Sequence, residues 1–212
     1  IDDMRGKEII QTILIALFLF VTQTAWAQLE KGETYSDEKF KYKCLSDGTV
    51  EIIEYIGTDT EVTLPYYILV GKETGYGYAS HAVSSLAAGV FEGNTTITSV
   101  SMAVGPYNIG DRAFYGCSNL KSIEFPPYLT SFGKEVLAYC NSLETISLYS
   151  GSLTGSGTTP LGTDHGILYF TNDEGRPVEI LACAPLGLTE GRGNITDKNA
   201  EKRINAGAFE GC

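Results

Sequence analysis

Residues 109–125 read IGDRAFYGCSNLKSIEF, and this stretch decides the fold because its pattern recurs along the chain. Moved forward by 23 positions, it becomes FGKEVLAYCNSLETISL over residues 132–148. A further copy begins as INAGAFEGC over residues 204–212. Moved back by the same interval, apolar residues fall on the same positions: Leu86, Val90, Phe91, Ile97, Val100 and Met102. Self-similarity at a fixed interval of this length is typical of a chain that stacks one structural unit on the next.

Each unit combines two spacings of apolar residues. The first places Ile109, Ala113, Phe114 and Cys117 on one face of a short helical turn. The second, Leu120-x-x-Ile123-x-Phe125, predicts a turn into a strand whose alternate residues point inward. One unit cannot bury both apolar faces, whereas stacked coils can, with each strand pairing with its equivalent about 4.8 Å away. The sequence therefore predicts a leucine-rich-repeat solenoid.

The core I-G-x-x-A-F-x-G-C-x-x-L-x-x-I of residues 109–123 resembles the BspA-type leucine-rich repeat of bacterial surface proteins. Residues 47–57 and 62–65 are similar to the opening strands of that family, and residues 166–169 and 180–185 to an inserted strand pair. The resemblance implies a right-handed β/α superhelix with parallel strands, short helical turns on the convex side and an N-terminal β cap. Two positions depart from the pattern, Asn94 in the Cys position and Leu137 in the Phe position.

The N-terminal residues have the order of a secretory signal peptide. A basic start precedes the apolar run of residues 13–21 and the small-x-small triplet AWA, so cleavage is expected before Gln28. An uncleaved membrane anchor is the alternative. We therefore predict a secreted or cell-surface protein. The predicted division is a signal peptide (1–27), N-terminal capping strands (28–65), repeats (66–150), a Gly/Ser/Thr-rich loop with an inserted β-hairpin (151–203) and the start of a further repeat (204–212). Within it, residues 71–80 are expected to loop out, and residues 150–166 to form a loop.

Composition and motifs argue against nucleic acid, metals, cofactors and catalysis. The formal charge is −11, and nucleic-acid binding requires clustered Lys and Arg that this chain does not have. Metal-binding and phosphate-loop spacings are also missing from the sequence. His81 and His165 are the two histidines, and both are expected to be solvated loop residues. The enzymatic alternative is a thiol hydrolase that pairs Cys44 or Cys183 with one of them.

Three of the five cysteines share one repeat position, Cys117, Cys140 and Cys212. Stacking would bring Cys117 and Cys140 within disulfide range, but equivalent side chains in parallel coils point the same way. We therefore predict packing as small buried hydrophobes rather than a disulfide.

The remaining candidate for function is the open face of the strands. Its residues alternate with the inward ones and are mainly hydroxyls and carboxylates: Ser99, Ser101, Lys121, Ser122, Glu124, Glu144, Thr145 and Ser147. Curved repeat surfaces commonly bind partners, although an ordinary solvated strand surface has the same composition. The family resemblance implies adhesion to host matrix proteins or other cells, through a protein or glycan partner. The alternative is a structural spacer in a larger surface protein.

Overall fold

The structure of the chain is a computed structural model. It describes residues 31–70, 79–102, 105–149, 161–164, 167–171, 177–183, 203–204 and 208. The predicted signal peptide and His165 lie outside the described residues. Within these residues no helix is long and apolar enough to cross a membrane.

All the regular elements in the described residues are strands. In chain order they are β1 (Thr34–Ser36), β2 (Phe40–Cys44), β3 (Val50–Tyr55), β4 (Glu61–Thr63), β5 (Tyr67–Val70), β6 (Ala79–Leu86), β7 (Ser99–Ser101), β8 (Asn108–Ile109), β9 (Ser122–Phe125), β10 (Ser131–Phe132), β11 (Thr145–Leu148), β12 (Leu161–Asp164), β13 (Ile167–Thr171), β14 (Pro177–Cys183) and β15 (Arg203–Ile204).

One four-stranded sheet, which we call the open sheet, has the order β11-β9-β7-β4 with every pair parallel. Ser99 pairs with Ser122, and Ser122 pairs with Thr145, so equivalent residues of successive repeats lie side by side. Val100, Ile123 and Ile146 point inward from the three strands and are buried. The prediction that equivalent strands stack in parallel is confirmed.

A second sheet, the lateral sheet, has the order β1-β2-β3-β6-β8-β10, with β5 paired to β6. Its first three strands are antiparallel, whereas β3, β6, β8 and β10 run parallel. Strands β5 and β6 form an antiparallel hairpin in which Tyr67 pairs with Ala82. The expectation that residues 71–80 loop out is therefore wrong for Ala79 and Ser80, which begin β6 because β5 supplies a pairing partner.

The segments between the two sheets are hydrogen-bonded turns, so the prediction of short helical turns is wrong for the described residues. These segments are not helical because two positions in each turn have positive φ, which a right-handed helix cannot contain. One position is occupied by Gly89, Arg112 and Glu135 (φ 68°, 57° and 54°), and the other by Gly93, Gly116 and Tyr139 (φ 70°, 69° and 60°).

Main-chain hydrogen bonds hold the turns both internally and to the next coil. The Phe91 amide donates to the Ala113 carbonyl at 2.8 Å, and the Phe114 amide donates to Val136 at 3.0 Å. The inward positions nevertheless match the predicted face, since Ala113, Phe114 and Cys117 are fully buried. The apolar spacing thus identified the buried residues correctly, although the local conformation that carries them is a turn.

Glycine is required where two coils approach each other most closely. A Cβ on Gly110 would lie 2.4 Å from the Ala88 amide nitrogen, and a Cβ on Gly133 would lie 2.4 Å from that of Asp111. Both distances are shorter than atoms can tolerate, and the obstructing atoms belong to the backbone. The repeated glycine that follows Ile109 and Phe132 therefore sets how closely successive coils stack.

Aromatic rings form a column through the core at the N-terminal end. Phe91 and Phe114 stack with centroids 4.9 Å apart and planes 10° apart. Tyr55 of β3 adds a ring 4.9 Å from Phe91, and Phe40 of β2 lies 5.3 Å from Tyr55. In the next coil the equivalent residue, Leu137, is also buried. The N-terminal strands thus share one hydrophobic core with the repeats.

A third sheet, of order β12-β13-β14-β15, follows the stacked coils. Strands β13 and β14 are antiparallel and correspond to the predicted inserted strand pair. Residues 161–164 were expected to belong to a loop, and this is wrong, because they pair with β13 as strand β12. Their sequence, LGTD, has no apolar alternation, so the strand depends on its neighbour rather than on its own pattern.

Glu135 tests the explanation for the turns. Replacing Glu135 with Gly removes an L side chain from positive φ, where glycine alone is unstrained, and should raise stability by about 1 kcal/mol. The Glu135→Ala variant keeps the strain and loses the same weak contact, in which Arg112 Nε lies 3.8 Å from the carboxylate. Chemical denaturation of the three proteins measures the difference. Equal stability of the Gly and Ala variants would contradict the explanation.

Candidate functional site

The open sheet displays two columns of outward side chains. The first column is Glu61, Ser99, Ser122 and Thr145, and the second is Thr63, Ser101, Glu124 and Ser147. These side chains are exposed or half-buried, whereas the residues between them are buried. Six of the eight predicted site residues thus lie together on one face.

Hydrogen bonds between strands hold the columns in place. The Ser101 hydroxyl donates to the Glu124 carboxylate at 2.5 Å, and the Ser122 hydroxyl donates to that of Ser99 at 3.1 Å. Such bonds reduce the rotamer freedom that would be lost when a partner binds. The face is therefore an ordered array of hydroxyl and carboxylate groups.

The other two predicted residues, Lys121 and Glu144, lie just before their strands and are exposed. Main-chain hydrogen bonds continue the stacking here, because the Lys121 amide donates to Thr98 and the Glu144 amide donates to Lys121, both at 2.8 Å. Thr98 in turn donates to Thr60 at 2.6 Å. Lys121 and Glu144 thus border the open sheet at the end where its strands begin.

Sequence reasoning missed Glu61 and Thr63, which extend the face by one strand. Strand β4 lies 38 residues before its partner instead of 23, because the β5–β6 hairpin is inserted between them. The available signal was the alternation in residues 61–64, EVTL, which places Val62 and Leu64 inward as in the later strands.

Comparison with known proteins assigns the repeated part of the chain. Residues 79–158 match the family model of the BspA type Leucine rich repeat region, in 6 copies. The chain contains a BspA-type leucine-rich repeat region. None of the curated proteins matches the chain.

Several solved structures are similar to the chain. A leucine-rich repeat protein from Bacteroides ovatus ATCC 8483 is 23% identical over 53% of this chain and 28% of its own, with a TM-score of 0.46. A leucine rich cell surface protein from Faecalibacterium prausnitzii A2-165 is 16% identical over 73% of this chain and 62% of its own, with a TM-score of 0.39. A leucine-rich repeat protein from Bacteroides capillosus ATCC 29799 is 18% identical over 54% of this chain and 97% of its own, with a TM-score of 0.41. The match thus spans less than two thirds of the length of the first two proteins.

His81 lies in the part of the BspA-type region that pairs with β5, and it is not a solvated loop residue as expected. The side chain faces inward from β6 and is 3% exposed. Its Nδ1 donates to the Gly48 carbonyl at 2.8 Å, and this bond ties the hairpin to the turn between β2 and β3. The expectation is wrong because a loop was inferred where the chain forms a paired strand.

Cys117 and Cys140 are buried free thiols, so the prediction that they pack without forming a disulfide is confirmed, whereas Cys212 lies outside the described residues. Cys117 donates to the Phe91 carbonyl at 3.0 Å, and Cys140 donates to Phe114 at 3.1 Å. The thiol therefore forms a hydrogen bond to the preceding coil. The pKa of Cys117 is raised because the neighbouring Cys140 thiol and burial both disfavour the thiolate.

The enzymatic alternative finds no support at Cys44. That thiol is buried, and burial raises its pKa, whereas a nucleophilic cysteine needs a lowered pKa and access to substrate. Cys183 has no described side chain. Among the residues that the structure describes, no group of three or more His, Cys, Asp or Glu side chains could hold a metal ion.

Cys117 makes stability depend on alkaline pH. Its pKa lies above the ordinary value of 9.0 in the folded protein, so above that pH the unfolded chain loses a proton that the folded chain keeps. Stability should fall as the pH rises above about 9. The Cys117→Ala variant should be about 1–2 kcal/mol less stable at pH 7 and should decline less steeply.

Urea denaturation between pH 7 and 10.5 measures this slope. Ser122→Ala is the control, because it also converts a small polar residue to Ala without removing a titrating group, and its curve should run parallel to that of the wild type. An unchanged slope in Cys117→Ala would show that another group, such as Tyr42, whose pKa burial also raises, is responsible.

Proposed function

We propose that the chain is a secreted or cell-surface binding module that adheres to host matrix proteins or to other cells through the open sheet. The observation that carries this proposal is the ordered polar face of four parallel strands. BspA-type leucine-rich repeats suggest a protein-binding or surface role, and the choice of adhesion comes from the family resemblance. The proposal includes export by a signal peptide over residues 1–27, no catalytic activity and no cofactor.

The charge of the open sheet supports a basic partner. Glu61, Glu124 and Glu144 contribute three carboxylates, against one ammonium group from Lys121. The whole chain also carries a formal charge of −11. A positively charged surface on a matrix protein would be attracted to this face, and the attraction would weaken with salt.

The proposed division into 28–65, 66–150, 151–203 and 204–212 treats the N-terminal strands as a cap on a right-handed β/α superhelix. What supports the cap is the packing of β2 and β3 against the first coil. Phe40, Tyr42 and Ile52 are almost completely buried there. A solenoid requires such an end because its terminal coil would otherwise expose the core.

Removing residues 31–55 tests the cap. The shortened protein should expose the apolar side chains beneath β3, including Phe91, and should aggregate or bind a hydrophobic dye. The Lys41→Ala variant is the control, because it breaks an exposed ion pair with Glu54 and should cost at most about 1 kcal/mol. A shortened protein that stays monomeric with an unchanged melting temperature would refute the cap.

Binding to immobilised fibronectin, laminin, fibrinogen and collagen, measured by surface plasmon resonance, tests adhesion. Glu61→Lys and Glu144→Lys should each weaken saturable binding by at least tenfold, because they reverse charges on the open sheet. Glu38→Lys makes the same substitution at an exposed position between β1 and β2 and should have little effect.

The alternative function is a structural spacer, which the regular stacking of coils also favours. The spacer proposal expects no saturable binding to any of the four proteins or to intact cells. Equal binding by the wild type, Glu61→Lys and Glu144→Lys would show instead that adhesion uses another surface.

A further inference from the structure

The β5–β6 hairpin carries a cluster of exposed aromatic and aliphatic side chains that the open sheet does not include. Six large hydrophobic side chains are exposed among the described residues, and four of them belong to this region. We call these four the tyrosine patch: Tyr66, Tyr67, Leu69 and Tyr107, which are 55%, 40%, 49% and 44% exposed.

The pairing of three neighbouring segments brings the patch together. Tyr67 lies opposite Ala82, and Leu69 lies opposite Ser80, so both side chains share the outer face of the hairpin. The Tyr66 carbonyl accepts from the Val83 amide at 2.9 Å on one side of β6. On the other side, the Tyr107 amide donates to the Ser84 carbonyl at 2.9 Å.

The patch has a fixed geometry. The rings of Tyr66 and Tyr67 meet edge to face, with centroids 4.4 Å apart and planes at 76°. Beneath them, His81 anchors β6 to Gly48 at 2.8 Å, and the Ser84 hydroxyl lies 2.7 Å from that of Thr49. The aromatic surface is therefore formed before a ligand arrives, which lowers the entropic cost of binding.

The chemistry of the patch is uncharged. The described segments of the hairpin, YYILV over residues 66–70 and ASHAVSSL over residues 79–86, contain no Lys, Arg, Asp or Glu. Exposed aromatic rings stand beside the exposed Ser80 and the half-buried Ser84. The open sheet differs, because carboxylates and Lys121 surround its hydroxyls.

The size of the patch favours a small ligand over a protein. Strand β5 has four residues, and the patch extends from β5 across β6 to Tyr107, so it measures about 13 Å by about 10 Å. A stable protein interface, including one with a second copy of this chain, needs about 800 Å² on each partner and a polar rim. The tyrosine patch offers only a fraction of that area.

We propose that the tyrosine patch binds a neutral oligosaccharide. The apolar C–H faces of sugar rings would stack on the tyrosine rings, and sugar hydroxyls would hydrogen-bond with the tyrosine hydroxyls and Ser80. This inference is independent of adhesion through the open sheet, since it concerns residues on a different sheet.

Arrays of immobilised glucose, mannose and N-acetylglucosamine oligomers, together with sialylated and sulfated oligosaccharides, test the proposal. The wild type should bind at least one neutral series in preference to the acidic ones. Tyr67→Ala and Tyr107→Ala should each reduce that binding by at least tenfold. Tyr139→Ala is the matched control, because Tyr139 is 41% exposed but lies in a turn away from the hairpin.

Glu61→Lys and Glu144→Lys separate the two proposals, since they should leave sugar binding unchanged even where binding to matrix proteins is lost. Melting temperatures of all variants must stay within a few degrees of the wild type. Tyr67→Phe is a milder change, because it removes the hydroxyl and keeps the ring. Failure to bind any neutral oligomer, a preference for acidic sugars, or an equal loss in Tyr139→Ala would overturn the inference.

Discussion

The rest of the structure depends on main-chain hydrogen bonds between successive coils. They occur in the open sheet, in the parallel part of the lateral sheet and also in the turns, where the Phe91 amide donates to Ala113 and the Phe114 amide to Val136. Because both the strands and the turns of a coil are bonded to the next coil, the spacing between coils is fixed at about one strand separation. Gly110 and Gly133 lie where that spacing leaves no room for a Cβ.

A fixed spacing converts each repeated residue into a column. Phe91 and Phe114 become a stack of rings inside the core, and Ser99 and Ser122 become a row of hydroxyls outside it. The cysteine position shows the same effect, since each thiol bonds to the coil before it. The core and the candidate binding face are thus two consequences of one register.

The sequence was informative where the repeat is regular. The alternation around Ile123 and Ile146 predicted the strands, their parallel pairing and six side chains of the open face, because burial and register follow from spacing alone. The sequence misled where the backbone conformation, and not the apolar spacing, determines the local structure. Glycine occupies three of the six positive-φ positions in the turns, but Arg112, Glu135 and Tyr139 occupy the other three, so residue type indicated this conformation at only half of them. His81 and β12 were missed because each depends on a partner distant from any repeat.

The β5–β6 hairpin interrupts the repeat without disturbing it, since β4 and β7 still pair in the common register on either side of the insertion. The chain therefore has two kinds of surface, the periodic open sheet and the inserted hairpin. Residues on the open sheet must fit a column whose spacing the coils dictate, so their arrangement can only be periodic. Side chains on the hairpin have no such requirement, and Tyr66, Tyr67 and Leu69 form a compact cluster that no column could produce. A solenoid gains a local, non-periodic recognition surface most readily from an insertion that pairs at its edge.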